Sequence, residues 1–527
     1  MEKVQIIGAG LAGLSAAIEL AKNGIYSNLI SLQPSERAQS VLAEGGINAA
    51  INTMGENDNY RLHYEDTKKA GCNIADESAI MGLAKNAPEI IAMLDSIGVP
   101  FYKVNGIIQS RNFGGQKKKR TAFVKSSTGK SIMSALISEA RKYEHEGLIK
   151  RYSRHEFIML NLDTDNRAVG VKIIDIFTRK QVDLCGPVIL AFGGMSGLFY
   201  QRTTGTTSNT SDALAQVYVQ GMTLSNLEMI QYHPTTIGIS GKRCLVSEAA
   251  RGEGARLFIN RNGKPWYFME EKYPELGNLM PRDVIAREMF FCIEDKECDG
   301  QVYLDLRDIK KEVINKKLPD LCEEMKYYLG IDPRKKPIPV DPGIHYFMGG
   351  ILVDINHRTN IERVYAAGEC CSQYHGANRL GGNSLLGAIY GGLVAAKHII
   401  LNPEVLNIGL CDNKINSYKE EIDKNINPDI ALKIAQILSD TLGIVRNQKT
   451  MSEGIEEIKK LRKSYSLNNW ENNRTILAET ILLSAIYRRE SRGAHYRMDY
   501  PKLDENLTKV TIAKCKGEIE LAYWEYK

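Results

Sequence analysis

AGECCSQYHGANRLGGNSLLGAIYGG, residues 367–392, is the stretch on which the reading of the fold turns. It follows an apolar strand pattern, Val364-Tyr365-Ala366-Ala367, after which Gly368 lets the backbone approach a ligand and Glu369 offers an acceptor to sugar hydroxyls. In the middle, His375-Gly376-Ala377-Asn378-Arg379-Leu380-Gly381-Gly382 sets an imidazole and a guanidinium in a glycine-rich turn. A planar carboxylate can be gripped there by charge-assisted bonds. The tail, Asn383-Ser384-Leu385 and onward to Gly392, runs into a helix with small residues on it, and a helix N-terminus favours an electron-rich group. The two ends, with Glu369, Asn383, Ser384 and Leu385, read as cofactor-binding, and the centre reads as the seat of an anionic substrate.

Towards the N-terminus, Lys3 to Gly24 reads as strand, glycine turn and helix. The turn Gly8-Ala9-Gly10-Leu11-Ala12-Gly13 is a dinucleotide fingerprint, whose small residues permit a tight turn, exposure of bare amides to a pyrophosphate and close packing of helix on strand. The acid expected about twenty residues later to bind a ribose is missing at the end of the second strand, Asn28 to Gln33, where Ser31 stands instead. A second apolar strand, Val188 to Leu190, ends in Gly193-Gly194, with Asp212 beyond it as an expected cofactor contact. From about Gly221 to Gly343 the strand–helix rhythm weakens, as for a domain inserted into the nucleotide-binding one. Its chemistry lies in Gln231-Tyr232-His233-Pro234-Thr235, in Ser247-Glu248-Ala249-Ala250-Arg251, and in Pro281-Arg282-Asp283. Glu248 and Arg251 are neighbours on a helical turn, and Pro281 suits a helix start. Past Pro403, Lys, Glu, Ile and Leu recur at helical spacing through Ile486. The expected fold is therefore α/β: a Rossmann-like domain over 1–220 and 344–403, an inserted α+β capping domain over 221–343, and a C-terminal helical domain over 404–527.

The chain has 527 residues, 43% hydrophobic, with a net charge of +5. That length suggests several cores, and the mild charge suits anionic substrates without arguing for nucleic acid. The strand pattern starts by Lys3, which leaves no room for an export signal, so cytoplasm is the expected location. The ten cysteines include no CxxC pair, so no iron–sulfur or zinc site is signalled, and reduced thiols are expected.

Taken together, HGANRLGGNSL, the glycine fingerprint and the His, Ser-Glu, Arg and HYFMGG segments resemble the flavoprotein subunits of fumarate reductase and succinate dehydrogenase, with L-aspartate oxidase as nearest relative. The resemblance runs through nearly all of the chain. It implies FAD as cofactor, contacted by Gly8, Gly10, Ala12, Gly13, Ser31, the segment Ser40 to Ala50 with Glu44, Gly45 and Gly46, and Asp212. It implies a small dicarboxylate substrate, with Arg282 as proton donor reloaded through Glu248 and Arg251. Pairing of buried charges assigns Arg379 and His345 to one carboxylate and His233 and Ser247 to the other. Two departures stand out. Gln39 occupies the place where most relatives carry a histidine bonded to the flavin, which predicts a non-covalent FAD. Phe113 stands where L-aspartate oxidases carry a glutamate near the substrate's ammonium, which favours fumarate; another unsaturated acid is the further alternative. The resemblance also implies a separate iron–sulfur subunit as electron donor and membrane association only through such partners.

Overall fold

The structure, a computed structural model, describes residues 2–125, 127–406 and 427–526. Val4–Ile7 has no exposed residue; Val4, Ile6 and Ile7 are apolar, as in strands covered on both faces, and Gln5 is buried with its amide donating to the Lys3 and Cys185 carbonyls. This segment is the central strand of a five-stranded parallel sheet in the order Val364–Ala366, Val188–Leu190, Val4–Ile7, Ser27–Ser31, Ile149–Ser153. The first helix, Leu11–Lys22, lies against Asn383–Leu401. Among the described residues, Asn383–Leu401 is also the one helix long and apolar enough to cross a membrane, and its buried residues are part of the core beside that sheet.

A six-stranded antiparallel sheet carries the inserted chemistry, with Ile230–Ile239 paired to Ile338–Phe347 and the helix Arg282–Glu294 packed on it. Three helices, Pro428–Thr441, Gln448–Ser464 and Asn469–Tyr487, follow the helical spacing read from the sequence. The chain then departs from that pattern. Val510–Lys516 and Glu518–Trp524 form a hairpin that joins Leu224–Ser225, Gly350–Leu352 and Cys371–Ser372 in one sheet. A buried ion network fastens this end: Arg488 donates to Glu228 at 2.7 Å and to Glu490 at 2.7 Å, and Arg492 donates to Glu490 at 2.8 Å and to the Cys72 carbonyl at 2.9 Å. Eight cysteines are free among the described residues, while Cys185, against the expectation of reduced thiols, is disulfide-bonded.

Candidate active site

The cofactor cleft opens at the carboxyl ends of the parallel strands, where ligands bind in open α/β sheets. Gly8 has φ of +117°, and a Cβ there would lie 2.1 Å from the Ala191 carbonyl oxygen. A Cβ on Gly13 would lie 1.9 Å from the carbonyl of Gly8, so Gly13 closes helix on strand while Gly8, Gly10 and Ala12 line the cleft. The helix behind them begins at Gly10 with no side-chain cap and no acid in its first turn, which leaves its amides to an anion. Ser31 and Ser211 line the same cleft, and their buried hydroxyls have no protein partner. Farther along stand Ser40 and Gln39, whose side-chain oxygen accepts from the Thr206 amide at 2.6 Å. Glu369 follows, pushed up to about 7 by burial against the opposing Phe347 amide and Arg379, and the cleft ends at Ser384 and Leu385. Bare amides at one end, unpartnered hydroxyls along the wall and an uncapped helix start at the other fit an extended dinucleotide such as FAD.

Five residues expected at the cofactor, Asp212, Asn383, Glu44, Gly45 and Gly46, have their side chains engaged elsewhere or do not line this cleft. Both carboxylate oxygens of Asp212 are taken by Arg474, one of them also accepting from Thr210 at 2.9 Å, so its neighbours Ser211 and Ala213 line the cleft instead. The Asn383 amide is used within the protein, accepting from Asn48 at 2.7 Å and donating to Thr67 at 3.0 Å. Glu44, Gly45 and Gly46 stand beyond the end of the cleft. Glu44 lies beside Ser247, and burial together with Glu324 and Asp320 pushes its carboxyl well above the usual range.

The second half of the site is a buried charge cluster. Glu248 accepts from Arg282 Nε at 2.9 Å and from Arg282 Nη2, and from Arg251 Nη2 at 3.2 Å. Burial alone would raise its pKa, but Arg282 and Arg251 outweigh it and hold the carboxyl at about 2. The remaining Arg282 nitrogen, Nη1, donates to Gln231 at 3.1 Å. The His233 and His345 rings meet edge to face at 5.1 Å. Burial first, then Arg282 and Arg251 at His233 and the His233 ring and Arg282 at His345, pushes both imidazoles well below their ordinary range, so they are neutral. His233 Nε2 is buried without a hydrogen-bond partner, and Ser247 Oγ is buried beside the Glu44 carboxyl. Arg379 lies 4.4 Å over the Tyr346 ring, its Nε unpartnered. It has no ion pair among the described residues, and burial with Arg282 lowers it to about 9. Phe113 is 2% exposed and is held close by two glycines, since a Cβ on Gly45 would lie 2.6 Å from its ring and one on Gly381 3.1 Å.

Chemically, Arg251 and Arg282 share the one Glu248 carboxylate, and Arg379 stands near them without an ion pair among the described residues. The two neutral histidines and the Ser247 hydroxyl add donors without adding charge. The guanidinium groups outnumber the Glu248 carboxylate, and Glu369, near 7 and beside Arg379, offsets only part of that excess, so the cluster suits an anionic substrate. The sequence reading passed over the residues that tie these groups together. Gln231 donates to Asn378 at 2.7 Å and to the Arg379 carbonyl at 2.8 Å while accepting from Arg282. Thr204 sits 2.8 Å from His345 Nδ1. Nothing in their spacing marks them, because their partners lie 51 to 148 residues away in the chain.

Among known proteins, the FAD binding domain family matches residues 3–385, and the fumarate reductase flavoprotein C-terminal family matches residues 472–527. The succinate dehydrogenase flavoprotein subunit of Bacillus subtilis (strain 168) is 38% identical, over 99% of this chain and 95% of its own length. The fumarate reductase flavoprotein subunit of Haemophilus influenzae is 30% identical, over 97% of this chain and 91% of its own. A solved quinol-fumarate reductase with menaquinol molecules superposes with a TM-score of 0.89 at 29% identity, covering 100% of this chain and 98% of that one.

Proposed function

Because the chain belongs to the succinate dehydrogenase and fumarate reductase flavoprotein family and is an FAD-dependent oxidoreductase of that type, we propose that it interconverts fumarate and succinate and works best as a fumarate reductase. The observation that carries this reading is the positive excess around Glu248, with Arg379 buried and without an ion pair among the described residues. Reduced FAD, when bound, supplies a hydride to one alkene carbon. Arg379 and His345 hold one carboxylate, and His233 and Ser247 hold the other. Arg282 gives its proton to the second alkene carbon. An arginine is a weak acid, with a pKa above about 12, but the carbanion-like carbon beside a carboxylate is more basic still. Glu248, ionised and bonded to both Arg282 and Arg251, passes a proton back to Arg282 from the Arg251 side.

Gln39 supports a non-covalent flavin, since an amide nitrogen is not a nucleophile and its carbonyl is already engaged by Thr206. Without an electron-withdrawing bond to the ring, the flavin's potential is lower, and reduction of fumarate is favoured over oxidation of succinate. We assign residues 1–220 and 344–403 to the flavin domain, 221–343 to the cap and 404–527 to the C-terminal region. Relatives are named as flavoprotein subunits, which supports a separate electron carrier. We take it to be an iron–sulfur subunit, and any membrane association to pass through such partners at the cytoplasmic face. The test is to reduce the protein with a low-potential dye and follow oxidation by fumarate, beside succinate and L-aspartate oxidation in the reverse assay. Turnover of aspartate without fumarate reduction refutes the proposal.

A further inference from the structure

A buried polar network lies behind the Gly381-Gly382 turn, between the charge cluster and the cofactor cleft. At its centre is Asn48, which is 0% exposed. Its Nδ2 donates to the Gly381 carbonyl at 2.7 Å and to Asn383 Oδ1 at 2.7 Å. Its Oδ1 accepts from Gln116 Nε2 at 2.9 Å and from Thr121 Oγ1 at 2.6 Å. Its backbone amide donates to the Gly382 carbonyl at 3.1 Å. Gln116 adds a second donor to the Gly381 carbonyl at 3.0 Å, and His63 Nε2 sits 3.0 Å from Asn383 Oδ1. Both hydrogens of the Asn48 amide and its carbonyl oxygen are thus satisfied, and the side chain has one orientation in which this is so.

The turn it holds has little freedom of its own. Gly382 sits at φ of +84°, and a Cβ there would lie 2.2 Å from Asn48 Oδ1. The other face of the turn meets the reacting groups, since a Cβ on Gly381 would lie 3.0 Å from Glu248 Oε2 and 3.1 Å from Phe113. Two residues before the turn is Arg379, and two after it is Ser384, which lines the cofactor cleft. Resting on the function proposed above, we infer that Asn48 is a positioning residue, fixing the spacing between the dicarboxylate held by Arg379 and the ring end of the flavin at Ser384. A displacement of the order of 1 Å between reacting atoms costs up to about 100-fold in rate. The network acts through distance and not through charge, so its loss falls on kcat and leaves dicarboxylate binding largely intact.

The experiment uses the full-length FAD-loaded protein and the variants Asn48→Asp, which keeps the shape but loses both donors, and Gln116→Leu, which removes the companion donor. Bound FAD per chain and the thermal midpoint are recorded first, then kcat and KM for fumarate, then the flavin's absorbance and midpoint potential. The expected result for Asn48→Asp is a kcat lower by about 10- to 100-fold with KM little changed, and a shifted flavin potential. Gln116→Leu should show a smaller fall of the same kind, and it carries the test if Asn48→Asp does not fold. Unchanged kcat and potential in a folded, FAD-loaded variant overturn the inference, as does a loss that appears only in KM. If the wild-type protein turns over no dicarboxylate, the functional reading fails by itself. The flavin potential, which needs no substrate, then decides whether Asn48 positions the ring.

Discussion

Arg282→Lys is the substitution that tests the proposed chemistry most directly. Arg282 is 6% exposed and reaches Glu248 through Nε at 2.9 Å and through Nη2, and Gln231 through Nη1 at 3.1 Å. A lysine ammonium keeps the charge that Glu248 needs, so the fold and the flavin are retained. Arg282→Ala would instead leave Glu248 with Arg251 alone, at a cost of about 3–5 kcal/mol for a broken buried pair. The lysine has no planar fork, however, and cannot stay on Glu248 and Gln231 while aiming a third N–H at the substrate. Loss of a positioned general acid costs about 10²- to 10⁴-fold, or about 3–5 kcal/mol in activation free energy. The loss should appear in kcat, because Arg379, His345, His233 and Ser247 still hold the carboxylates. The assay is dye-linked fumarate reduction at saturating substrate, with FAD per chain measured on the same sample. Turnover equal to wild type removes Arg282 from the role of donor. A rise in KM at constant kcat makes it a binding residue.

Three further outcomes follow from the same geometry. Acid precipitation should leave the yellow colour in the supernatant, and colour in the pellet would mean that a residue other than Gln39 tethers the flavin. Glu248, held at about 2 against an ordinary 4.5, should contribute stability that is fully present above pH 4.5 and lost as pH falls towards 2. The full contribution is about 3 kcal/mol, and it should be absent from the acid limb of urea-unfolding curves of Glu248→Gln. Arg379, lowered to about 9, should bind dicarboxylates less tightly as pH rises past 9 and its charge is lost; Arg379→Gln should raise KM for fumarate and abolish stabilisation by succinate in a thermal shift, and a variant that is still stabilised by succinate would contradict the grip assigned to it.

The parts of this protein that the sequence makes legible are those where a residue type is forced locally. Gly8 and Gly13 can be read because no side chain fits where helix and strand approach, and the first strand because Val4, Ile6 and Ile7 are apolar, although Gln5 is buried among them by its hydrogen bonds. Arg282, Glu248 and Arg379 can be read only together, because their segments in this order resemble the family's active site; each alone would pass for an ordinary surface ion pair. The residues that escape such reading act over long chain separations. Asp212 is as acidic as a cofactor contact requires, yet its carboxylate answers Arg474, 262 residues away, and no local pattern distinguishes the two uses. Asn383 stands among residues that line the cofactor cleft, but its amide belongs to Asn48, 335 residues earlier. The C-terminal hairpin pairs locally, Val510–Lys516 with Glu518–Trp524, and only its seat against Leu224–Ser225 depends on a distant partner. Hydrophobic period and backbone sterics are properties of neighbours and survive in the sequence. The direction in which a buried amide or carboxylate turns is set by which partner the finished fold brings within 3 Å. That is why the reactive groups of the site could be listed from the chain, while the scaffold that spaces them could not.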